Sequence, residues 1–248
     1  MENIQVLFLG SGDAFSAGGR HQAGYLVTGG GRTLLLDCGA TTLTSLKREG
    51  LDAGAIDAVF ISHLHGDHFS GLPFLLLEYT CLSPRQRSLT IGGPPGTRDR
   101  VYELHRAMFS DAGSRPLPFA VDFVELLPDR PADIGDIAVE PFRVPHQKTE
   151  ISLGLGVTVG SRRILYSGDT GWTEALVSKS HGADLFICEC SFFETRMETH
   201  LDYPRIEENR HRLGARRLIL THLGREVLDH KNQIDVELAS DGLRIDVG

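Results

Sequence analysis

The string His63-Leu64-His65-Gly66-Asp67-His68 constrains this chain more than any other feature. It follows the apolar run Ala58-Val59-Phe60-Ile61-Ser62, which reads as a buried strand. Three imidazoles and a carboxylate crowded into one turn repel one another when protonated, and none packs well in an apolar core. A divalent metal resolves the conflict, because neutral imidazole and carboxylate are good ligands for zinc and similar ions. A loop leaving a strand can turn His63 and His65 toward one point. Gly66 permits a sharp bend that sends Asp67 and His68 to a second point nearby. The spacing therefore predicts two metals rather than one, whereas a solvated histidine-rich turn would leave the crowding unexplained.

The rest of the chain reads as strands punctuated by helices. Ile4–Leu9, Ala23–Thr28, Thr33–Asp37, Ala58–Ser62, Ser88–Ile91 and Phe119–Leu126 are expected strands of the first half, with a hairpin through Gly29-Gly30-Gly31-Arg32. Helices are expected at Ala40–Glu49, at Ser70–Leu82 with an early interruption by Pro73, and near Arg98–Phe109. The second half repeats the style, with strands at Ile137–Val144, Ile151–Val159, Arg163–Tyr166, Asp184–Cys188 and Arg217–Leu220 and a final strand pair. Its helices are expected at Thr173–Lys179, Tyr203–Leu213 and near Arg225–His230. With 248 residues and no linker or low-complexity segment, two strand-rich halves predict stacked sheets covered by helices in one domain spanning 1–248.

Charge and composition narrow the function classes. Lys+Arg number 25 against Asp+Glu 33, a net charge of −8, which argues against a protein that coats a phosphate backbone. The start, MENIQVLFLGSGDAF, is a poor signal peptide, and no apolar run is long enough to span a membrane. Cys38, Cys81, Cys188 and Cys190 do not form a disulfide framework, so reduced thiols and a cytoplasmic location are expected.

His-x-His-x-Asp-His after a buried strand resembles the signature of the metallo-β-lactamase superfamily. Four further motifs match in order: Asp37 in Leu34-Leu35-Leu36-Asp37-Cys38-Gly39, His146 after its strand, Asp169 in Tyr166-Ser167-Gly168-Asp169-Thr170, and His222 ending Leu218-Ile219-Leu220-Thr221-His222. The resemblance implies an α/β, four-layer αββα sandwich with two metals at one edge of the sheets. It implies that His63, His65 and His146 hold the first metal, that Asp67, His68 and His222 hold the second, and that Asp169 bridges both. Asp37 would support the site without being a ligand.

A narrower likeness is carried by Phe8-Leu9-Gly10-Ser11-Gly12, Leu36-Asp37-Cys38-Gly39, and Glu189-Cys190-Ser191-Phe192 followed by His200. These are similar to ribonuclease Z and its relatives. There a strand-end glutamate pairs with a later histidine that acts on the scissile phosphate, which implies Glu189 and His200 here. A carboxylate fixes the imidazole's tautomer and raises its pKa, so the ring can donate a proton or stabilise developing charge. Two departures matter. Ribonuclease Z enzymes carry a long tRNA-gripping arm between the lone ligand histidine and the bridging aspartate, whereas the interval from His146 to Asp169 holds only two plain strands and a Gly160-Ser161 turn. The usual His-Ser-Thr reads His200-Leu201-Asp202.

The leading expectation is a binuclear metal-dependent phosphodiesterase that attacks a small phosphodiester or nucleotide through a hydroxide bridging two divalent ions, with Asp67, His200 and Glu189 as catalytic residues. Zinc leads the candidate metals, ahead of manganese, iron, nickel and cobalt. The alternatives on the same site are lactone, thioester or other carbonyl hydrolysis, then tRNA 3′-processing, then an iron-dependent sulfur dioxygenase. A homodimer is among the expectations, with Leu72–Leu82 as one surface although core burial is the leading use of that helix, and neither a membrane nor an extended nucleic acid is an expected partner. Residues 78–118 are expected to cover the pocket, with Arg98 or Arg115 available to a phosphate. Most of His21, His105, His181, His211 and His230 are expected to be solvated.

Overall fold

The structure, a computed structural model, describes residues 3–248. In chain order the first part comprises β1 (Ile4–Gly10), β2 (Gly24–Gly29), β3 (Arg32–Leu36), α1 (Thr42–Arg48), β4 (Ala58–Phe60), α2 (Gly66–Phe69), α3 (Leu72–Cys81), β5 (Leu89–Gly93), α4 (Thr97–Met108), α5 (Ser110–Gly113) and β6 (Val121–Glu125). The second comprises β7 (Ala132–Ile134), β8 (Ile137–Arg143), β9 (Leu153–Val159), β10 (Arg162–Tyr166), α6 (Glu174–Ser180), β11 (Leu185–Glu189), α7 (Tyr203–Asn209), β12 (Leu218–Thr221), α8 (Arg225–Asp229), β13 (Glu237–Leu238) and β14 (Arg244–Val247).

Two seven-stranded sheets result, in the orders β14-β1-β2-β3-β4-β5-β6 and β13-β12-β11-β10-β9-β8-β7. Each is antiparallel on one side and parallel on the other. β3 to β6 run parallel in the first sheet, and β10 to β13 in the second. Parallel strands are buried on both faces, which explains the unbroken apolar runs Leu34-Leu35-Leu36 and Val59-Phe60-Ile61. Alternation then splits them between layers. Leu34 and Leu36 meet Tyr25, Leu155 and Tyr166 between the sheets. Leu35 points outward to Leu46, Leu75 and Leu76 of α1 and α3. On the other sheet, Phe186 and Leu220 pack outward against Leu176, Ile206 and Val227 of α6, α7 and α8. The layering is αββα, as the sequence implied. The β2–β3 hairpin turns through Gly30 and Gly31, with φ of 59° and 70°. Two left-handed residues are what a two-residue turn between twisted strands requires.

Three expectations need correction. Pro73 does not interrupt α3 but sits in its first turn, where a missing N–H costs no hydrogen bond. The final two strands do not pair with each other: β13 extends the second sheet beside β12, and β14 closes the first beside β1. Residues 78–118 do not cover the pocket. Their helix α4 lies outside the first sheet, where Val101 and Leu104 join the helix-side core, and neither Arg98 nor Arg115 reaches the site. Of the five remaining histidines, His181 and His211 are exposed, His21 and His230 are half-buried, and His105 is buried in α4, on the same face as Val101.

The topology places the site. His63 follows β4, Asp37 follows β3, His146 follows β8, Asp169 follows β10, and His222 follows β12. Each is carried just past the carboxyl end of its strand, and these ends converge on one edge of the sandwich.

Candidate metal centre

The converging loops form two clusters of potential ligands that share Asp169. His63, His65, His146 and Asp169 make one, and Asp67, His68, Asp169 and His222 make the other, the candidate atoms of each lying within 4.8 Å of one another. Asp169 touches both groups. Its Oδ2 is 3.8 Å from His63 Nε2 and from His146 Nε2, and 3.4 Å from His222 Nε2. Its Oδ1 is 3.3 Å from His68 Nε2. His65 Nδ1 lies 3.0 Å from His146 Nε2, and His222 Nε2 lies 3.3 Å from Asp67 Oδ2.

The rings are held from behind. His63 Nδ1 meets Ser62 Oγ at 3.0 Å, His68 Nδ1 meets Asp37 Oδ2 at 2.7 Å, His146 Nδ1 meets the Thr199 carbonyl at 2.9 Å, and His222 Nδ1 meets Ser191 Oγ at 3.0 Å. In each ring Nε2 is left pointing inward, the pattern by which outer hydrogen bonds fix the tautomer of a metal-binding imidazole. His63 Nε2, His68 Nε2 and Asp169 Oδ1 are buried without a hydrogen-bond partner. Orphaned polar atoms are expensive unless something else meets them, and a pair of divalent cations fits this donor set.

The electrostatics agree. Burial, then the charge of His68, pushes His63 well below the ordinary imidazole value. Burial also lowers His65 and His146. These three present neutral lone pairs. Burial opposes charge on His68 and His222 as well, but Asp169 and then Asp67 outweigh it. The metal-free chain therefore holds His68 well above the ordinary value and His222 at about 9. Two imidazolium rings balance the carboxylates where cations would otherwise do so. Asp37 and His222 are also two of the four described non-glycine residues with left-handed backbone, both at φ 56°. Such strain persists where surrounding bonds over-determine it. Asp37 accepts from Ser62 N, Ser62 Oγ and Tyr166 Oη besides facing His68, and is fully buried.

Glu189 and His200 come together beside the second cluster. His200 Nδ1 lies 3.0 Å from Glu189 Oε1, and the Thr170 N–H donates to the same oxygen at 2.6 Å. Burial draws the His200 pKa down, but the hydrogen bond and charge of Glu189 outweigh it and hold the ring above its ordinary value. Ser191 was given no role by sequence reasoning. Its hydroxyl lies 2.7 Å from Glu189 Oε2, 3.3 Å from His200 Nδ1 and 3.0 Å from His222 Nδ1, tying the pair to the metal cluster. Glu226 was also missed. It accepts from the N–H groups of Phe193, Glu194 and Thr195, and so anchors the loop that leads to His200. Neither had a sequence signal beyond proximity to a motif.

A cavity of 330 Å³ opens over His65, Asp67, Asp169, His200 and His222. Its rim comes from Asp13–Phe15, Phe192 and Arg225.

An αββα sandwich carrying two histidine–aspartate clusters on one shared carboxylate defines a metallo-β-lactamase-type, metal-binding hydrolase fold. Within that class, residues 4–239 match the profile of the family described as Anti-Pycsar protein Apyc1, and the chain belongs to that family. It is related more distantly to ribonuclease Z. The Haloarcula marismortui enzyme is 28% identical, with 97% of this chain and 96% of that one covered. The Bradyrhizobium diazoefficiens enzyme is 26% identical over 292 aligned positions, covering 97% of this chain and 94% of that one. That alignment is longer than this chain's 248 residues, so the relative carries insertions absent here. Among solved structures, human tRNase Z, short form, superposes with a TM-score of 0.80 at 28% identity over 98% of this chain and 99% of that one. The metallo-β-lactamase fold protein YhfI from Bacillus subtilis gives 0.78 at 23% identity over 99% and 100%, a likeness of fold.

No helix among the described residues is long and apolar enough to cross a membrane.

Proposed function

We propose that this chain is, as a single domain, a binuclear metal-dependent phosphodiesterase acting on a small phosphodiester or nucleotide. His63, His65 and His146 would hold one ion, Asp67, His68 and His222 the other, and Asp169 would lie between them. When bound, two zinc ions or similar cations supply a hydroxide at neutral pH and neutralise phosphoryl oxygens. The chain's own residues do the rest. Asp67 orients the attacking water. Glu189 fixes His200 with its Nδ1 proton inward, which leaves Nε2 as the nitrogen available to the leaving oxygen. His200 then donates a proton or stabilises developing charge there.

The observation that carries this reading is the Glu189–His200 pair beside the shared-aspartate clusters, which supplies a proton donor suited to the alkoxide leaving group of a phosphodiester. The ribonuclease names of the relatives support phosphodiester chemistry. A small substrate is supported by the 330 Å³ cavity, the charge of −8, and the tie of the rim's Arg225 to Asp229 at 3.0 Å. The test is metal stoichiometry measured alongside hydrolysis of bis(p-nitrophenyl) phosphate. Two ions per chain with metal-dependent turnover is the expected result. Two ions without turnover, but with activity on a lactone or thioester panel, would replace the phosphodiesterase reading with a carbonyl hydrolase.

A further inference from the structure

Phe15 is 90% exposed, more than any other large apolar side chain among the described residues, yet its backbone is built with care. Asp13 Oδ1 accepts from the Phe15 and Ala17 N–H groups, and Ser16 N donates to the Asp13 carbonyl. Gly12 pairs with Leu223, and the Leu223 N–H donates to the Ser11 carbonyl at 2.9 Å. The Phe15 loop is thus stitched to the residue after His222. The loop presents the ring at the mouth of the cavity, where Phe192 lines the same space and packs edge-on to His200 at 6.0 Å between centroids.

At the rim, Arg225 turns its Nε to both carboxylate oxygens of Asp229, and the side chains of Phe15 and Phe192 line the mouth beside it. Recognition at the mouth is therefore apolar and planar, while anionic charge must be met at the floor. A molecule with a phosphate at one end and a flat ring at the other matches this division. We propose that Phe15 is the specificity-determining platform on which the nucleobase of the substrate stacks, with Phe192 closing the opposite side. The proposal rests on the phosphodiesterase reading and adds which part of the substrate is read, and by what. Stacking is tolerant of base identity, since every base offers a π-face. Phe15 therefore selects nucleotides over sugar phosphates without choosing strongly among bases.

The test is calorimetric binding of adenosine 5′-monophosphate and of ribose 5-phosphate to the zinc-loaded protein. The wild type should prefer the nucleotide. Phe15→Ala should weaken the nucleotide by about 5- to 100-fold, the range for losing one base–aromatic stack, and ribose 5-phosphate by less than about 2-fold. Phe15→Trp should keep the nucleotide affinity, and Phe15→Leu should lose most of it. Because the ring is exposed, Phe15→Ala should unfold at the wild-type temperature. Equal weakening of both ligands, or full affinity in Phe15→Leu, would overturn the stacking platform. So would a change of oligomeric state in Phe15→Ala, which would assign the ring to contact between copies. If neither ligand binds the zinc-loaded wild type, the platform falls, whereas the phosphodiesterase reading falls only if hydrolysis of bis(p-nitrophenyl) phosphate, measured on the same preparation, is also absent.

Discussion

Nδ1 of His68 lies 2.7 Å from Oδ2 of Asp37, and this contact joins the histidine-rich loop to the end of the neighbouring strand. The same carboxylate takes two bonds from Ser62 and one from Tyr166, which reaches across from the other sheet. One buried side chain thus orients a ligand and couples the two sheets.

Asp37→Asn is therefore expected to weaken metal binding by about 10- to 100-fold, the usual cost of losing an outer partner of a metal-binding histidine. Asparagine tolerates the left-handed backbone at this position, so the change isolates charge from strain. Zinc competition against a chromophoric chelator reads the effect. Wild-type affinity in this variant would remove Asp37 from the support of the site.

Metal uptake should release protons. His68 and His222 are protonated in the metal-free chain at neutral pH, the latter with a pKa of about 9, and must lose those protons to bind a cation. Zinc affinity should fall as pH falls, and the binding enthalpy should vary with the ionisation enthalpy of the buffer. In the metal-free protein the sign reverses for stability. The raised pKa of His222 contributes stability that is complete below its ordinary value and lost as pH rises through about 9. The unfolding temperature of the metal-free protein should therefore fall on the alkaline side.

His200→Ala should lower turnover by about 10²- to 10⁴-fold with metal content unchanged. An acid role needs the protonated ring, whose pKa stands above the ordinary value, so activity should fall as pH rises through that raised pKa. Glu189→Gln removes the charge that raises it, and should move this alkaline limb to lower pH. A pH–rate profile that keeps its limb in Glu189→Gln would sink the pairing as the source of the shift.

Glu226 offers a separate acid-side test. Burial opposes its ionisation, but the Thr195 hydroxyl and three backbone N–H groups hold its pKa down at about 2. The stability it contributes is present above the ordinary carboxyl value and lost as pH falls toward about 2. Protection of the Glu194 and Thr195 amides, taken relative to the intrinsic exchange rate at each pH, should be lost over that window. Glu226→Gln should show the fast exchange at neutral pH, together with reduced turnover through the displaced His200 loop.

The ligand loops were legible in the sequence because they combine residue types that neither a core nor a surface has reason to collect. Strand positions were legible for the same reason in reverse: Leu34-Leu35-Leu36 and Val59-Phe60-Ile61 have no polar face to place them anywhere but inside a sheet. The rim was not legible. Phe15 looks in sequence like any apolar residue in a turn, and only its placement over the cavity distinguishes it. Ser191 and Glu226 act through backbone and side-chain hydrogen bonds to segments distant in sequence, which no local pattern encodes. Residues 78–118 misled because their Pro94-Pro95-Gly96 turn reads as a loop over a pocket, whereas it launches a helix against the outer face of the first sheet.

The division of the shared-aspartate site between the sheets has a bearing on how the chain matures. His63, His65, Asp67 and His68 leave the first sheet, and His146, Asp169 and His222 leave the second. A nascent chain that has made only its first half can offer an ion the contiguous histidine string but no common carboxylate to hold a neighbour at the right spacing. Such a half-made species would bind a single ion loosely and give it up readily. Secure loading would await the docking of the two halves, so that two bound ions would act as a seal on assembly, and an incorrectly chosen metal would have its easiest exit before that seal was set.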